Sequence, residues 1–571
     1  LMEIIKRFIT NKRVLNRYYA NAQARTLVTE QRDHQNEEKS ATFSKYLLKK
    51  KEEAERSVLI QIASKDSLSS LCQYTKRKGL YPMNIFYYKI KEDMKLALVE
   101  FESVKCVHQV LNMASFIDKY DCIPITSRLL WFKGDSKVEE NVEVDIKSFN
   151  LAELELTNKK CVDEILNGDN NPSSSMLQIY NLLKVSDIEV RIRFFICQQL
   201  KDMLSGLFPR CEVVPFGSSV NGFGQGGCDL DMVLLLNPAQ LDSRFIFHSK
   251  QAIANPRYQN QKYMELLGDM LSQLIPGCSH VVRILRARVP IIKFKHQFGG
   301  IECDLSMDSD SGVFMSELLW LMTRIDSRVA PLVFMVKKWA KYTQLTSEVP
   351  GRWISNFALT ILVLFHLQNR PQPVLPSFQE LKELVGPGDH CESIDGLDCT
   401  FQRDASLLKK SSNSESLHKL LEEFFRFYAG FTWSKLGVSL VLGKIVNKPD
   451  FSPMYIENPL DNKLNVSQNV SLEEVDRFTD EITSALWRIE CSESVNEDYK
   501  WTLKTLLSSH KPVDSYSFGE GRVKLDRLLK VDYSGSKDSQ KPSDNALLSY
   551  LTTIRTKKKK KTKKSKNEWT D

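Results

Sequence analysis

Two aspartates, Asp229 and Asp231, follow the turn Phe216-Gly217-Ser218 by ten residues in the segment EVVPFGSSVNGFGQGGCDLDMVLLL. Val213–Phe216 reads as a strand, the glycines as a loop, and DLDMVLLL as a second strand. Side chains alternate faces along a strand, so Asp229 and Asp231 project to one face while Leu230 and Met232 project to the other. Two close carboxylates repel unless cations lie between them. Paired Mg²⁺ or Mn²⁺ ions answer that, and they are the usual device for in-line phosphoryl chemistry. Backbone amides and hydroxyls at a Gly-Ser turn can cradle a phosphate beside them. Gly222, Gly224 and Gly227 also match G-x-G-x-x-G by letter, but a dinucleotide fold needs a helix next, and a β-like run follows instead.

Pro290–His296, a Gly299-Gly300 turn, then Ile301–Ser306 read as a hairpin. Asp304 lies on the face opposite Ile301, Cys303 and Leu305, and Glu302 shares its face. Further along, VKKWAK places Lys337 and Lys341 at i, i+4 on one helix face, with Lys338 turned toward solvent.

The elements around these residues suggest several domains. The chain has 571 residues with ordinary globular composition, 42% hydrophobic and 26% charged, enough for about three or four domains. The net charge of +8 sits at the ends. The tail Arg555–Asp571 carries nine basic residues against Glu568 and Asp571, and the head 1–29 carries six against Glu3. The head, basic and almost free of acid, has a transit-peptide composition pointing to mitochondria. The lysine tail resembles a nuclear localisation patch, which keeps a nuclear alternative open. The longest apolar run, Phe357–Phe365, falls far short of the ~20 residues a membrane span needs, so no membrane insertion is expected. Twelve cysteines without C-x-x-C argue against a disulfide framework or a zinc finger. H-E-x-x-H and P-loop motifs are absent from the sequence.

Residues 33–55 read as a solvated, charged lead-in. Within 55–133 the order strand Val58–Ala63, helix Ser67–Lys78, two strands, helix Ser103–Met113 and a strand near Ile123–Trp131 predicts an RRM-like β-α-β-β-α-β domain. Leu59, Leu96 and Leu98 occupy the positions where RNA-stacking aromatics belong, so its sheet or edge is predicted to serve protein contact. Residues 134–175 read as linker and helix, with a breaker cluster at Gly168–Ser175. A long helical pattern spans Met176–Leu207. After the hairpin, 307–480 reads as helical, and 481–571 as an extension ending in the lysine tail.

The string from Phe216 through Met232 resembles the signature of the DNA polymerase β-like nucleotidyltransferases. More narrowly, PFGSSVNGFGQGGCDLDM, IIKFKHQFGGIECDLSM, WISNFALTILVLFHLQ and SPMYIENPL resemble the mitochondrial poly(A) polymerase family, in order over about residues 176–475. The resemblance implies an α+β fold. Its nucleotidyltransferase palm, a mixed sheet with helices at 176–306, would pack on a helical central domain at 307–480, with the RRM-like unit in front. It implies template-independent addition of AMP from ATP to RNA 3′ ends, using Mg²⁺ or Mn²⁺ held by Asp229, Asp231 and Asp304. A terminal uridylyltransferase, or an RNA-binding scaffold with a dead palm, are the alternatives. The resemblance assigns nucleotide contacts to Phe216, Gly217 and Ser218, to Lys337 and Lys341 on the triphosphate, to Ser316 at the ribose, and to Ser355, Asn356 and Phe357 around the base. Met315 departs from the Asn often found before that hydroxyl residue. Tyr455–Val470 matches a loop near the base where uridine-adding relatives carry a histidine; here His418 and His510 flank a stretch without one. The resemblance further implies a homodimer through the RRM-like domain and a mitochondrial-matrix location.

Overall fold

The computed structural model describes residues 42–91, 94–114, 127–134, 146–168, 171–236, 256–347, 349, 351–386, 390–492 and 501–507. The basic head 1–30 and the lysine tail 555–571 lie outside the described residues.

The first helix, α1 (Phe43–Glu55), is capped by Thr42. It is not the solvated lead-in predicted from its charges. Phe43 and Leu47 are buried with Phe194, Val214, Val233 and Trp320, and Lys50 and Lys51 bond Asp187 and Glu212 at 2.7 and 2.9 Å. Lys50 and Lys51 of YLLKKKEE thus help fix the helix to the rest of the chain.

Next come β1 (Ser57–Ile62), α2 (Ser67–Arg77), β2 (Pro82–Lys91), β3 (Met94–Phe101), α3 (Val104–Met113), β4 (Leu129–Phe132) and β5 (Ile146–Asn150). The sheet runs β4-β1-β3-β2-β5. Residues 146–150, assigned to a linker on sequence, are its fifth strand, parallel to β2. Val58, Ile60, Ile85, Tyr87, Ala97 and Val99 pack with Leu68, Leu71 and Val107 of α2 and α3. Leu59, Phe86, Tyr88, Leu96 and Leu98 face the other way and join Ile192, Phe195 and Ile196 of the next domain. The face expected to be open for a partner protein is therefore buried inside this chain. Burial on both faces explains the continuous apolar runs that blur a two-residue alternation.

The helices α4 (Leu151–Asn167), α5 (Pro172–Leu183) and α6 (Asp187–Leu204) follow. The single helix expected from Met176 to Leu207 is broken before Ser186, whose side chain and that of Glu189 form a capping box opening α6. A second sheet, in the order β6-β7-β10-β9-β8, is built from β6 (Glu212–Phe216), β7 (Leu230–Leu235), β8 (Cys278–Ile284), β9 (Ile291–His296) and β10 (Ile301–Met307), with α7 (Pro256–Gln273) before β8. Its neighbours pair antiparallel except β7 and β10, which are parallel. The fold is mixed α+β.

The rest is mainly helical: α8 (Ser311–Ile325), α9 (Val329–Tyr342), α10 (Asn356–Gln368), α11 (Phe378–Glu383), α12 (Leu417–Ala429), a hairpin β11 (Leu436–Ser439) and β12 (Lys444–Asn447), α13 (Leu472–Glu490) and α14 (Leu503–Leu507). Leu332, Leu362, Phe425 and Phe478 share one core with Val162 of α4 and Met176 and Ile179 of α5. Helices α4 and α5, which precede the second sheet, thus belong to the layer formed by the helices after it, whereas α6 packs on the two sheets. Helix α10 is buried on all sides from Ala358 to Gln368, the signature of a central helix. Among the described residues no helix is long and apolar enough to cross a membrane.

Candidate active site

Four strands carry one cross-strand row. Phe216 at the end of β6 pairs with Asp231 on β7. Asp231 pairs with Asp304 on β10, and Asp304 with Lys293 on β9. Adjacent strands lie about 4.8 Å apart, and directly opposed residues share a face. Asp229 is exposed in the turn just before β7. Burial, then the charges of Asp304 and Asp229, push the Asp231 carboxyl up from 3.8 to about 7. Lys293 Nζ bonds the two oxygens of Asp304 at 2.9 and 2.7 Å. Three carboxylates and one ammonium leave excess negative charge, and oxygen donors of this kind suit hard divalent cations. The donor set fits such ions. Among the described residues no group of three ligands already stands at ion-binding distance; Asp304 is held instead by Lys293.

The chain turns sharply ahead of this row. Gly217 has φ +70, and a Cβ there would strike the Asp231 carboxylate. Its N–H donates to Ser316 Oγ at 2.7 Å, and that hydroxyl donates to the Gly312 carbonyl at 2.7 Å. Ser316 is only 1% exposed. The hydroxyl expected at the ribose, that of Ser316, here holds the Gly217 turn. Phe216 lies against Gly312, where a Cβ would meet its ring, so it packs the turn onto α8. Ser218 is half-buried beside them.

Two residues not singled out from sequence organise the loop between the turn and Asp229. Glu189 Oε1 accepts from Gly227 N–H at 2.9 Å. Arg193, one turn on, donates to Ser219 Oγ at 3.1 Å and to the Cys228 carbonyl at 2.6 Å, and Ser219 Oγ donates to the Asp229 carbonyl at 3.0 Å. The available signal was a Glu and an Arg at i, i+4 among the apolar residues that open this helix. Lys293 was also legible, because counting back through the Gly299-Gly300 hairpin sets it opposite Asp304.

From the helical side, Lys337 Nζ donates to the Phe223 carbonyl at 3.4 Å and lies 5.7 Å from the Phe223 ring centre. Burial lowers its pKa from 10.5 to about 8. Lys341 is exposed, whereas Lys338, expected in solvent, is half-buried. Ser355 caps α10, accepting from Ala358 N–H at 3.0 Å. Asn356 is exposed and Phe357 packs half-buried against the helical core. Asn469 Nδ2 donates to the carbonyls of Gly351 and Trp353 at 2.8 and 2.9 Å. That ties the Tyr455–Val470 loop to the segment leading into Ser355–Phe357.

Comparison with known proteins agrees with this geometry. Residues 173–324 match the family described as poly(A) RNA polymerase, mitochondrial-like, central palm domain. The mitochondrial poly(A) RNA polymerase of Drosophila melanogaster is 37% identical over 78% of this chain and 76% of its own length. That of Homo sapiens is 35% identical over 82% of this chain and 81% of its own. A crystal structure of mtPAP in complex with ATPγS superposes with a TM-score of 0.72 at 33% identity, covering 82% of this chain and 99% of that one. The chain belongs to the mitochondrial poly(A) RNA polymerase family.

Proposed function

We propose that the chain is a polynucleotide adenylyltransferase that transfers AMP from ATP, without a template, to RNA 3′ ends. The observation carrying this reading is the placement of Asp231 and Asp304 on one cross-strand row with the Gly217 turn, and of Asp229 just before it. When bound, a pair of divalent ions would activate the RNA 3′-hydroxyl and neutralise the departing pyrophosphate. Asp229, Asp231 and Asp304 are the residues that would hold Mg²⁺ or Mn²⁺. The Gly217 N–H already serves Ser316, so the amide and hydroxyl of Ser218 are the turn's donors for the triphosphate. Lys337, with Lys341 one turn on, supplies positive charge from the helical side.

Stacking on Phe357 favours the larger purine surface, and the Tyr455–Val470 loop has no histidine to read a uracil edge. Discrimination through a few hydrogen bonds is expected at about tenfold to two-hundredfold, so ATP should exceed UTP in kcat/KM with measurable UTP leakage. Initial rates for each nucleotide on one RNA primer test this. Equal or reversed efficiencies would favour the uridylyltransferase reading.

The same reading divides the chain into an RRM-like unit at 55–133, a palm with leading helix at 176–306, a helical central domain at 307–480 and a C-terminal extension. The relatives' names and the acid-poor head support a mitochondrial location, in the matrix. Reporter fusions lacking 1–30 or 555–571 test it, and a location changed only by loss of the tail would contradict it. Homodimerisation through the RRM-like unit would have to use its edges or helices, because its sheet faces are covered. Light scattering tests it, with a monomer at micromolar concentration counting against it.

A further inference from the structure

The catalytic row has a direction. The Gly217-Ser218 turn marks its nucleotide end, and Asp304 is the carboxylate furthest from that turn. Beyond Asp304 the row continues to Lys293 on β9 and then Val282 on β8. If ATP lies at the turn, the attacking 3′-hydroxyl and its strand approach from the β9–β8 side.

That side is cationic. Between Asp269 and Glu302 the chain has no acidic residue and five lysines and arginines: Arg283, Arg286, Arg288, Lys293 and Lys295. Arg283 is paired with Asp269. Arg286 and Arg288 are exposed on the loop joining β8 to β9, and no carboxylate pairs with either among the described residues. The loop backbone is fixed: Gln261 donates to the Leu285 carbonyl at 2.9 Å and Arg257 to that of Ala287 at 2.8 Å. Lys295, two residues along from Lys293 and on its face, pairs with Glu302 at 3.1 Å, with both side chains about half exposed, at 42% and 56%. Such an exposed pair is weak and yields readily to a phosphate.

We propose that the β8–β9 hairpin is the track for the RNA primer, with Arg286, Arg288 and Lys295 binding phosphates just upstream of the 3′ end. Because these are backbone contacts, they hold the primer without reading its sequence. The inference rests on the reading of the site as an RNA nucleotidyltransferase.

The test uses the full chain and its Arg286→Ala/Arg288→Ala double variant, with a fluorescent oligo(A) primer titrated at several salt concentrations. Loss of two phosphate contacts should lower the slope of log K against log salt by about 1.4 and weaken binding on the order of tenfold at 0.1 M salt. ATP affinity, measured without RNA, should remain, and Arg286→Lys/Arg288→Lys should restore the slope. Unchanged RNA affinity and slope in the alanine variant overturn the track, while primer extension by the parent chain stands. A parent chain that extends no RNA overturns the parent reading and the track with it.

Discussion

An Asp231→Asn variant should lose AMP incorporation by about 10³-fold or more, because a carboxylate serving phosphoryl transfer contributes several kcal/mol at the transition state. The fold should gain where activity is lost. Asp231 is pushed up to about 7 by burial and by its neighbours Asp304 and Asp229. Between about pH 4 and 7 the native state keeps a proton that the unfolded chain has released. Stability of the metal-free protein from this group therefore falls as pH rises through that window. Asn removes the charge and the penalty. Melts in EDTA should show the variant more stable than the parent at pH 8, with the gain shrinking at pH 5. A variant that melts below its parent at pH 8, or that extends RNA normally, contradicts the assignment.

Gly217→Ala should be nearly as damaging to activity, for a different reason. At φ +70 any L-residue costs about 1–2 kcal/mol, and the new Cβ would run into the Asp231 carboxylate. Relief requires moving either the carboxylate or the turn, and the turn is fixed by the 2.7 Å bond from Gly217 N–H to Ser316. We expect kcat/KM to fall by about two orders of magnitude or more, since small misplacements of reacting groups cost that much. The melting temperature should fall by only a few degrees. Paired kinetics and thermal melts check this, and a rate within threefold of the parent would show that the turn tolerates the displacement.

Asp229 and Asp231 were legible by strand alternation, a local rule, whereas hairpin counting left Asp304 and Glu302 on one face and the family resemblance chose Asp304. Asp229 and Asp231 are two apart, and Asp304 follows a recognisable Gly-Gly turn. What the local rules could not supply was the set of partners. Ser316 takes its expected role from position in the family, and no local rule shows that its hydroxyl also holds Gly217, 99 residues away in sequence. Lys50 and Lys51 look like a solvated run, yet they bond Asp187 and Glu212, 137 and 161 residues on. Leu59, Leu96 and Leu98 pointed away from base stacking but could not show what covers that face, because Ile192 and Ile196 lie in a helix assigned to another domain. The break before Ser186 was hidden by apolar residues on both sides, although Ser186 and Glu189 carry the S-x-x-E capping signature.

We propose that the row of Asp231 and Asp304, with Asp229 beside it, forms the centre of template-independent AMP transfer. Its most direct test is primer extension on a sizing gel, comparing the chain with its Asp304→Asn variant on oligo(A) RNA with ATP and Mg²⁺ or Mn²⁺. The expected result is a ladder of single-nucleotide additions from the parent and none from the variant. No ladder from the parent, or an equal ladder from both, would contradict the account.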